Sequence, residues 1–336
     1  MHEPQRADAA AHPRTVGDLG EDAVLGRILP RLRAGDAALL GAGDDAAVVA
    51  APDGRFVVTT DLMVHGPDFR LAWSTPFELG WKAAATNLTD VAAMGARPTA
   101  LVVAIAAPPS TDATVLEGIA DGFREALAVL APGAGVVGGD LSASTVLTIA
   151  VTAFGDLEGR PPVTRSGARV GDVVAHAGVR GDAARGLALL FDEARDAAGE
   201  PDADAADALR GRHPALIAAQ LAPAPPVAAG VAAALAGATA MLDVSDGLAR
   251  DARRIALASG VGIDFSAAAL GPDARLALAG AEDHGLLATF PPATTLPAPF
   301  ERIGRVTDAA GELFVDGAPI DAVGWDPYSG WDGRAG

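Results

Sequence analysis

Aspartates punctuate this sequence where apolar runs stop, and that pattern has chemistry in it. Asp44 and Asp45 follow the turn Gly41-Ala42-Gly43. Asp61 closes Phe56-Val57-Val58-Thr59-Thr60, Asp140 closes Gly135-Val136-Val137-Gly138-Gly139, and Asp243 and Asp246 bracket Val244-Ser245. Carboxylates gathered at such places are tolerated when a cation sits among them, and their hard oxygens suit Mg²⁺. An acidic site of this kind accepts a triphosphate if the metal lies between the two sets of negative charge. Gly139 lets backbone approach a phosphate closely, Arg165 offers its oxygens a planar fork, and a helix opening after Ser245 would turn free N–H groups toward an anion. Each has a plainer alternative: a Gly-Gly-Asp turn, a hinge arginine paired with a local acid, and Asp246 as a helix cap.

The elements that must hold these residues are partly legible. Phe56–Val58 reads as a buried strand that delivers Thr59, Thr60 and Asp61 at its C-terminal end, where α/β folds place ligands. Thr75-Pro76-Phe77-Glu78 has a capping-box pattern with proline at the first helical position, and Gly95 suits a C′ residue, which predicts a helix between them. On that helix Asn87 and Asp90 share one face, turned either to the site or to solvent. The pattern further predicts helices from Leu19 to Arg33, Asp112 to Leu130 (Leu116, Ile119, Phe123 and Leu127 inward) and Leu248 to Ala258. Strands are expected at Ala46–Val49, Leu101–Ile105, Gly135–Val137, Val146–Phe154 and Val173–Ala175. Residues 191–208, rich in Ala, Asp and Glu, read as a solvated helix or loose insertion without chemistry.

Length and composition narrow the field. The 336 residues, half of them apolar, suit two domains, at 19–156 and 157–336, after a disordered leader at 1–18. The break falls at Gly155–Pro162. Cysteine is absent, which excludes disulfides, thiolate metal sites and a cysteine nucleophile. A formal charge of −18 argues against a nucleic-acid partner. No apolar stretch is long enough for a membrane span and the N-terminus lacks the apolar core of a signal peptide, so a cytoplasmic protein without a membrane partner is expected. Lys82 is the only lysine.

The motifs GDDAAVV, TTD, WKAAATNLTDVAAMGA, GVVGGD, TRSGARVGD and LDVSDGLARD, in this order and spacing, resemble the thiamine-monophosphate kinase family of the AIR-synthetase-like (PurM-like) superfamily. The resemblance runs from Gly20 to Trp325. It implies an α/β fold with mixed sheets in two domains, the N-terminal one pairing with its twin through a shared β-barrel in a homodimer, and ATP bound in a cleft by several Mg²⁺ ions. It places metal ligands on Asp45, Thr59, Thr60, Asp61, Asp90, Asp140, Asp243 and Asp246, and nucleotide contacts on Gly139, Asp140, Arg165 and Ser245. Substrate contacts fall on Glu282 and on Trp325, which would stack on a heteroaromatic ring with a cation–π contribution from a thiazolium, or else plug the core. The implied reaction joins ATP to thiamine monophosphate and makes thiamine diphosphate by in-line transfer, which needs no protein nucleophile.

Two departures touch the acceptor. A histidine usual in the family's GxHF-like motif is replaced by Asp68 in Gly66-Pro67-Asp68-Phe69, with His65 three residues earlier, so Asp68 becomes a candidate substrate contact. The family's GGEDYEL becomes Gly280-Ala281-Glu282-Asp283-His284-Gly285-Leu286. The altered acceptor half leaves two alternatives open: a related ATP-dependent enzyme with another acceptor, and a non-catalytic nucleotide-binding relative.

Overall fold

The computed structural model describes residues 15–19, 21–40 and 48–325. Two mixed sheets form its frame. The first holds β1 (Val57–Val64), β2 (Arg97–Ala107), β3 (Gly135–Ala143) and β4 (Thr148–Asp156), in the order β1-β4-β2-β3. Only β2 and β3 are parallel. The second holds β5 (Val173–Ala177), β6 (Ala240–Val244), β7 (Gly262–Phe265), β8 (Gly285–Phe290), β9 (Glu301–Thr307), β10 (Leu313–Val315) and β11 (Ala318–Ile320), in the order β11-β10-β7-β9-β5-β8-β6.

Helix α1 (Pro76–Ala93) starts as its sequence demands. The Thr75 hydroxyl accepts the Glu78 N–H, and the Glu78 carboxylate accepts the Thr75 N–H. It stops at Gly95, whose φ of +73° suits glycine. Helix α2 (Ala113–Leu130) buries Leu116, Ile119, Phe123 and Leu127 against it, as the helical spacing requires. One continuous core joins Leu88 and Val91 of α1 to Ala175, Met241 and Leu286 of the second sheet. Helix α1 therefore acts as a wall common to both sheets, and any site on its exposed stripe faces both.

Three expectations change. Strand β1 does not end at Val58, because Thr59, Thr60 and Asp61 stay in ladder with Ala153, Thr152 and Val151. Strand β3 runs through Gly138-Gly139-Asp140 without turning. A Cβ at Gly139 would stand 1.9 Å from the Val103 carbonyl oxygen, so close strand contact is what requires glycine there. The helix expected from Leu19 to Arg33 is broken into Glu21–Ile28 and a 3₁₀ turn at Leu29–Arg31, where Pro30 removes a donor. Of the strand expected at Ala46–Val49, Val48–Val49 pairs with Ala38–Leu40; Gly41 to Ala47, including Asp44 and Asp45, lie outside the described residues.

The 191–208 segment is a further correction, since it builds structure. Helices α3 (Asp182–Glu193), α4 (Ala203–Arg212) and α5 (Pro214–Leu221) bury Leu190, Ala194, Ala206, Leu209, Ile217 and Leu221 in a third core with Trp73. The acidic residues go to turns and caps: Asp196 accepts the Ala198 and Glu200 N–H groups, and Asp202 caps α4. The small alanines are left free to pack. Helix α6 (Leu248–Ser259) lies on the second sheet, with Ile255 in its core. No helix among the described residues is long and apolar enough to cross a membrane.

Candidate functional site

Three cavities meet along α1 and share their walls. The middle one, about 280 Å³, is bordered by Asp61, Asp90, Asp243 and Asp246. A cavity of about 590 Å³ shares Asp90 and Asp243 with it and adds Thr59 and Arg165. On the opposite side a cavity of about 280 Å³ shares Asp68, Lys82, Glu282 and Trp325, and adds an apolar wall of Phe69, Trp73, Leu187 and Phe191. The result is one cleft, acidic in the middle, with an apolar end and an arginine-bearing end.

Strand alternation places the first acids. Thr59 and Asp61 project from the same face of β1, toward α1, where the Thr59 hydroxyl donates to the Asp90 carboxylate at 2.9 Å. Thr60 projects the other way and donates to the Val151 carbonyl at 2.9 Å, so its side chain is turned from the cleft. The second sheet supplies Asp243 from edge strand β6, level with Leu286 of β8. Asp246 follows in the loop before α6. It is not a helix cap: Gly247 holds that position, while Arg254 reaches the Asp246 carboxylate at 2.5 Å. Asn87 and Asp90 do not form a solvated face. Asn87 is 1% exposed, with its amide donating to the Ala83 carbonyl at 2.9 Å.

Asp140 and Gly139 stand apart from this group. Strand β3 is three strands from β1 across the sheet, roughly 14 Å at ordinary strand spacing, and Asp140 does not border the acidic cavity. Its carboxylate accepts the Ser142 hydroxyl at 2.9 Å. Asp45 lies outside the described residues. Arg165 borders the larger cavity and makes no ion pair with a described acid, unlike a hinge residue pairing locally. Ser245 borders the acidic cavity.

Crowding sets the electrostatics. Burial, together with the neighbouring charges of Asp243 and Asp61, pushes the Asp90 carboxyl up to about 7. Asp61 is raised mainly by burial, with His284 opposing. Burial works against protonation of His284, but Asp243 at 3.9 Å and Glu282 outweigh it and hold the imidazole above its ordinary value. Several hard oxygen donors crowded on one wall fit a divalent cation. Among the described residues no three acidic or histidine side chains close into a cage, so an ion held here would complete its shell with phosphate oxygens or water.

The apolar end is built differently. Phe191 of α3 meets Trp73 edge-on at 4.9 Å, and the Arg70 guanidinium stacks 5.0 Å from both rings. Trp73 is held by its indole N–H to the Ala194 carbonyl at 2.8 Å. Trp325, 40% exposed, borders the cavities instead of plugging the core, and its backbone N–H donates to the Asp246 carbonyl at 2.8 Å. Asp68 accepts the Val64 N–H at 2.7 Å, and desolvation in the cleft raises its carboxyl. Glu282 and His284 adopt φ of +70° and +50°, strained for non-glycine residues. Asp283 between them accepts the Gly181 and Ala183 N–H groups at the start of α3, tying the strained loop to the apolar wall.

Sequence reasoning passed over Lys82, Gln220, Trp73, Leu187 and Phe191. For Lys82 a signal existed: Lys82, Thr86 and Asp90 are spaced i, i+4, i+8 on one stripe of α1, and all border the acidic cavity.

Comparison with known proteins agrees over most of the chain. Residues 43–157 match the family model described as AIR synthase related protein, N-terminal domain. A thiamine-monophosphate kinase of Mycobacterium tuberculosis (strain H37Rv) is 44% identical over 337 residues, covering 96% of this chain and 94% of its own. The crystal structure of thiamine monophosphate kinase from Aquifex aeolicus superposes with a TM-score of 0.70 at 31% identity, over 81% of this chain and 90% of that one. The structure of AaThiL complexed with AMPPCP and TMP gives a TM-score of 0.69 at 28% identity, over 94% and 99%.

Proposed function

The chain belongs to the thiamine-monophosphate kinase family, and we infer that it transfers the terminal phosphoryl group of ATP to thiamine monophosphate, giving thiamine diphosphate and ADP. The observation that carries this reading is the continuity of the cleft. One acidic cavity shares Asp90 and Asp243 with the arginine-bearing end, and Asp68, Glu282 and Trp325 with the aromatic end. A donor nucleotide and a flat acceptor entering from opposite ends would meet over the carboxylates.

In this assignment Arg165 at the larger cavity and Ser245 at the acidic one hold nucleotide phosphates, with Gly139 and Asp140 assigned to the nucleotide by sequence alone. Asp61, Asp90, Asp243 and Asp246 would hold Mg²⁺, with Asp45 and Thr59 as further ligands and Thr60 assigned by sequence alone. Bound there, Mg²⁺ would neutralise the charge spread over the transferred phosphoryl group. The chain's own task is positioning. The Thr59 hydroxyl fixes one Asp90 oxygen, and Arg254 fixes Asp246. Trp325 and the Phe191–Trp73 pair offer faces to the acceptor's rings and exclude water from that end. Asp68 and Glu282 border the junction where the acceptor's phosphate must lie.

The fold supports an assembly as well. Val58 and Leu62, 54% and 58% exposed, leave an apolar stripe on the open face of the first sheet, which suits closure by a second copy into a shared barrel. Residues 19–156 and 157–336 are taken as two domains, with the first sheet assigned to one and the second sheet to the other. With ATP as co-substrate and Mg²⁺ as cofactor, we assign the reaction to the cytoplasm.

Purified protein with ATP, Mg²⁺ and thiamine monophosphate should yield thiamine diphosphate and ADP in equal amounts by anion-exchange chromatography. Bound ATP with no thiamine diphosphate at any pH would discard this acceptor.

A further inference from the structure

We propose that Lys82 recognises the phosphate of the acceptor, making the site select a phosphorylated acceptor over its dephosphorylated form. The inference rests on the functional reading above. Lys82 and Asp90 lie on one stripe of α1, two turns apart, about 12 Å along the axis. Asp90 faces the nucleotide end. Lys82 faces the aromatic end, bordering both the acidic cavity and the apolar one. The helix thereby sets a spacing between the two substrates.

Charge gives the stripe its meaning. Six carboxylates border the acidic cavity: Asp61, Asp68, Asp90, Asp243, Asp246 and Glu282. Among the described residues on that wall, Lys82 is the one ammonium, and no guanidinium accompanies it. An acceptor phosphate arriving from the aromatic end must pass Asp68 and Glu282, both repulsive. On the acidic wall Lys82 offsets them, while Arg70 borders the aromatic cavity beyond it.

The ammonium is held ready. It is 5% exposed, donates to the Gln220 carbonyl at 3.1 Å and pairs with the Glu282 carboxylate. An ammonium has three N–H groups, so one remains for a phosphate oxygen. Glu282 is also held by the Gln220 amide at 3.2 Å, so it keeps a donor if Lys82 turns to a phosphate. The residue type fits the place. This chain has 25 basic Lys and Arg residues and uses lysine only here, where a compact, rotatable point charge suits a buried position.

The single lysine makes the test specific. Protein labelled with [ε-¹³C]lysine gives one side-chain signal, that of Lys82, and is titrated with thiamine monophosphate and with thiamine in the presence of Mg²⁺ and AMPPCP. Thiamine monophosphate should move the signal and thiamine should leave it in place. Binding of thiamine monophosphate with an unmoved signal, or equal shifts with both compounds, overturns the proposal. Lys82→Met then separates recognition from support by calorimetry: affinity for thiamine monophosphate should fall roughly 10- to 100-fold while affinity for thiamine holds. An equal loss for both compounds would make Lys82 a prop for Glu282 and overturn the assignment. Wild-type protein that binds AMPPCP but neither thiamine compound overturns the functional reading itself, and Lys82's role with it.

Discussion

At one end of the cleft, Asp61, Asp90 and Asp243 stand on two strands and a helix that the cores of both sheets hold in place. At the other, Trp73, Leu187 and Phe191 depend on a separate small core of three short helices, joined to the rest by a strained loop and a few polar clamps. The acidic part thus stores like-charge repulsion on a rigid frame, while at the aromatic end Arg70 and Lys82 balance Asp68 and Glu282 on a frame that can be altered by itself. Nucleotide handling and acceptor choice should therefore separate by mutation.

The largest separation is expected at the acidic end. Asp90→Asn should cut turnover about 10²-fold or more while the protein still unfolds in one cooperative transition, in a steady-state assay paired with calorimetry. Wild-type turnover would remove Asp90 from the machinery. At the aromatic end, Phe191→Ala should raise the acceptor KM roughly 5- to 20-fold while leaving AMPPCP affinity unchanged. Loss of nucleotide affinity in that variant would show that the two ends are not independent. A more modest effect is expected where α4 is fastened to α1. There Arg210 donates to both Glu78 oxygens, at 3.0 and 2.7 Å, and to the Trp73 carbonyl. Arg210→Ala should cost about 1–3 kcal/mol in denaturant unfolding, because it removes the charged partner of Glu78 and leaves that carbonyl without the guanidinium.

The smallest effect tests the stored repulsion itself. In metal-free protein the Asp90 carboxyl sits at about 7, above its ordinary 3.8. A folded state that holds its proton more tightly than the unfolded state loses stability as pH rises from about 4 to about 7. Asp90→Asn should therefore raise the Tm by roughly 2–4 °C at pH 8 with chelator present, the gain fading toward pH 4. A gain independent of pH would point to packing instead of charge.

The same contrast explains what could be read from the sequence. The Thr75–Glu78 box and the spacing of Leu116, Ile119, Phe123 and Leu127 speak through local chemistry and period, whereas Asp61 and Asp140 lie inside their strands and not at the ends their apolar runs suggested. Strand β1 runs past Val58 through Thr59-Thr60-Asp61 because its ladder to β4 satisfies the backbone whatever side chains it carries, and Leu62-Met63-Val64 resume the apolar run. Gly138-Gly139 looks like a turn because glycine serves turns and close strand contacts alike, and only the neighbour at Val103 decides. The wall from α3 to α5 was hidden for a different reason. Its residues are Ala, Leu and Phe among caps and acids, and nothing in their types announces that they close on Trp73, more than a hundred positions earlier. Lys82 was legible only as part of a stripe, once Asp90 had been given a role.

The central claim is that two substrates enter one cleft from opposite ends and meet over its carboxylates. A crystal structure of this chain with AMPPCP, Mg²⁺ and thiamine monophosphate tests it most directly. The terminal phosphate should lie against Asp90 and Asp243, the acceptor's rings between Phe191 and Trp325, and its phosphate beside Lys82. An acceptor bound elsewhere, or a nucleotide lying in the aromatic cavity, would contradict it.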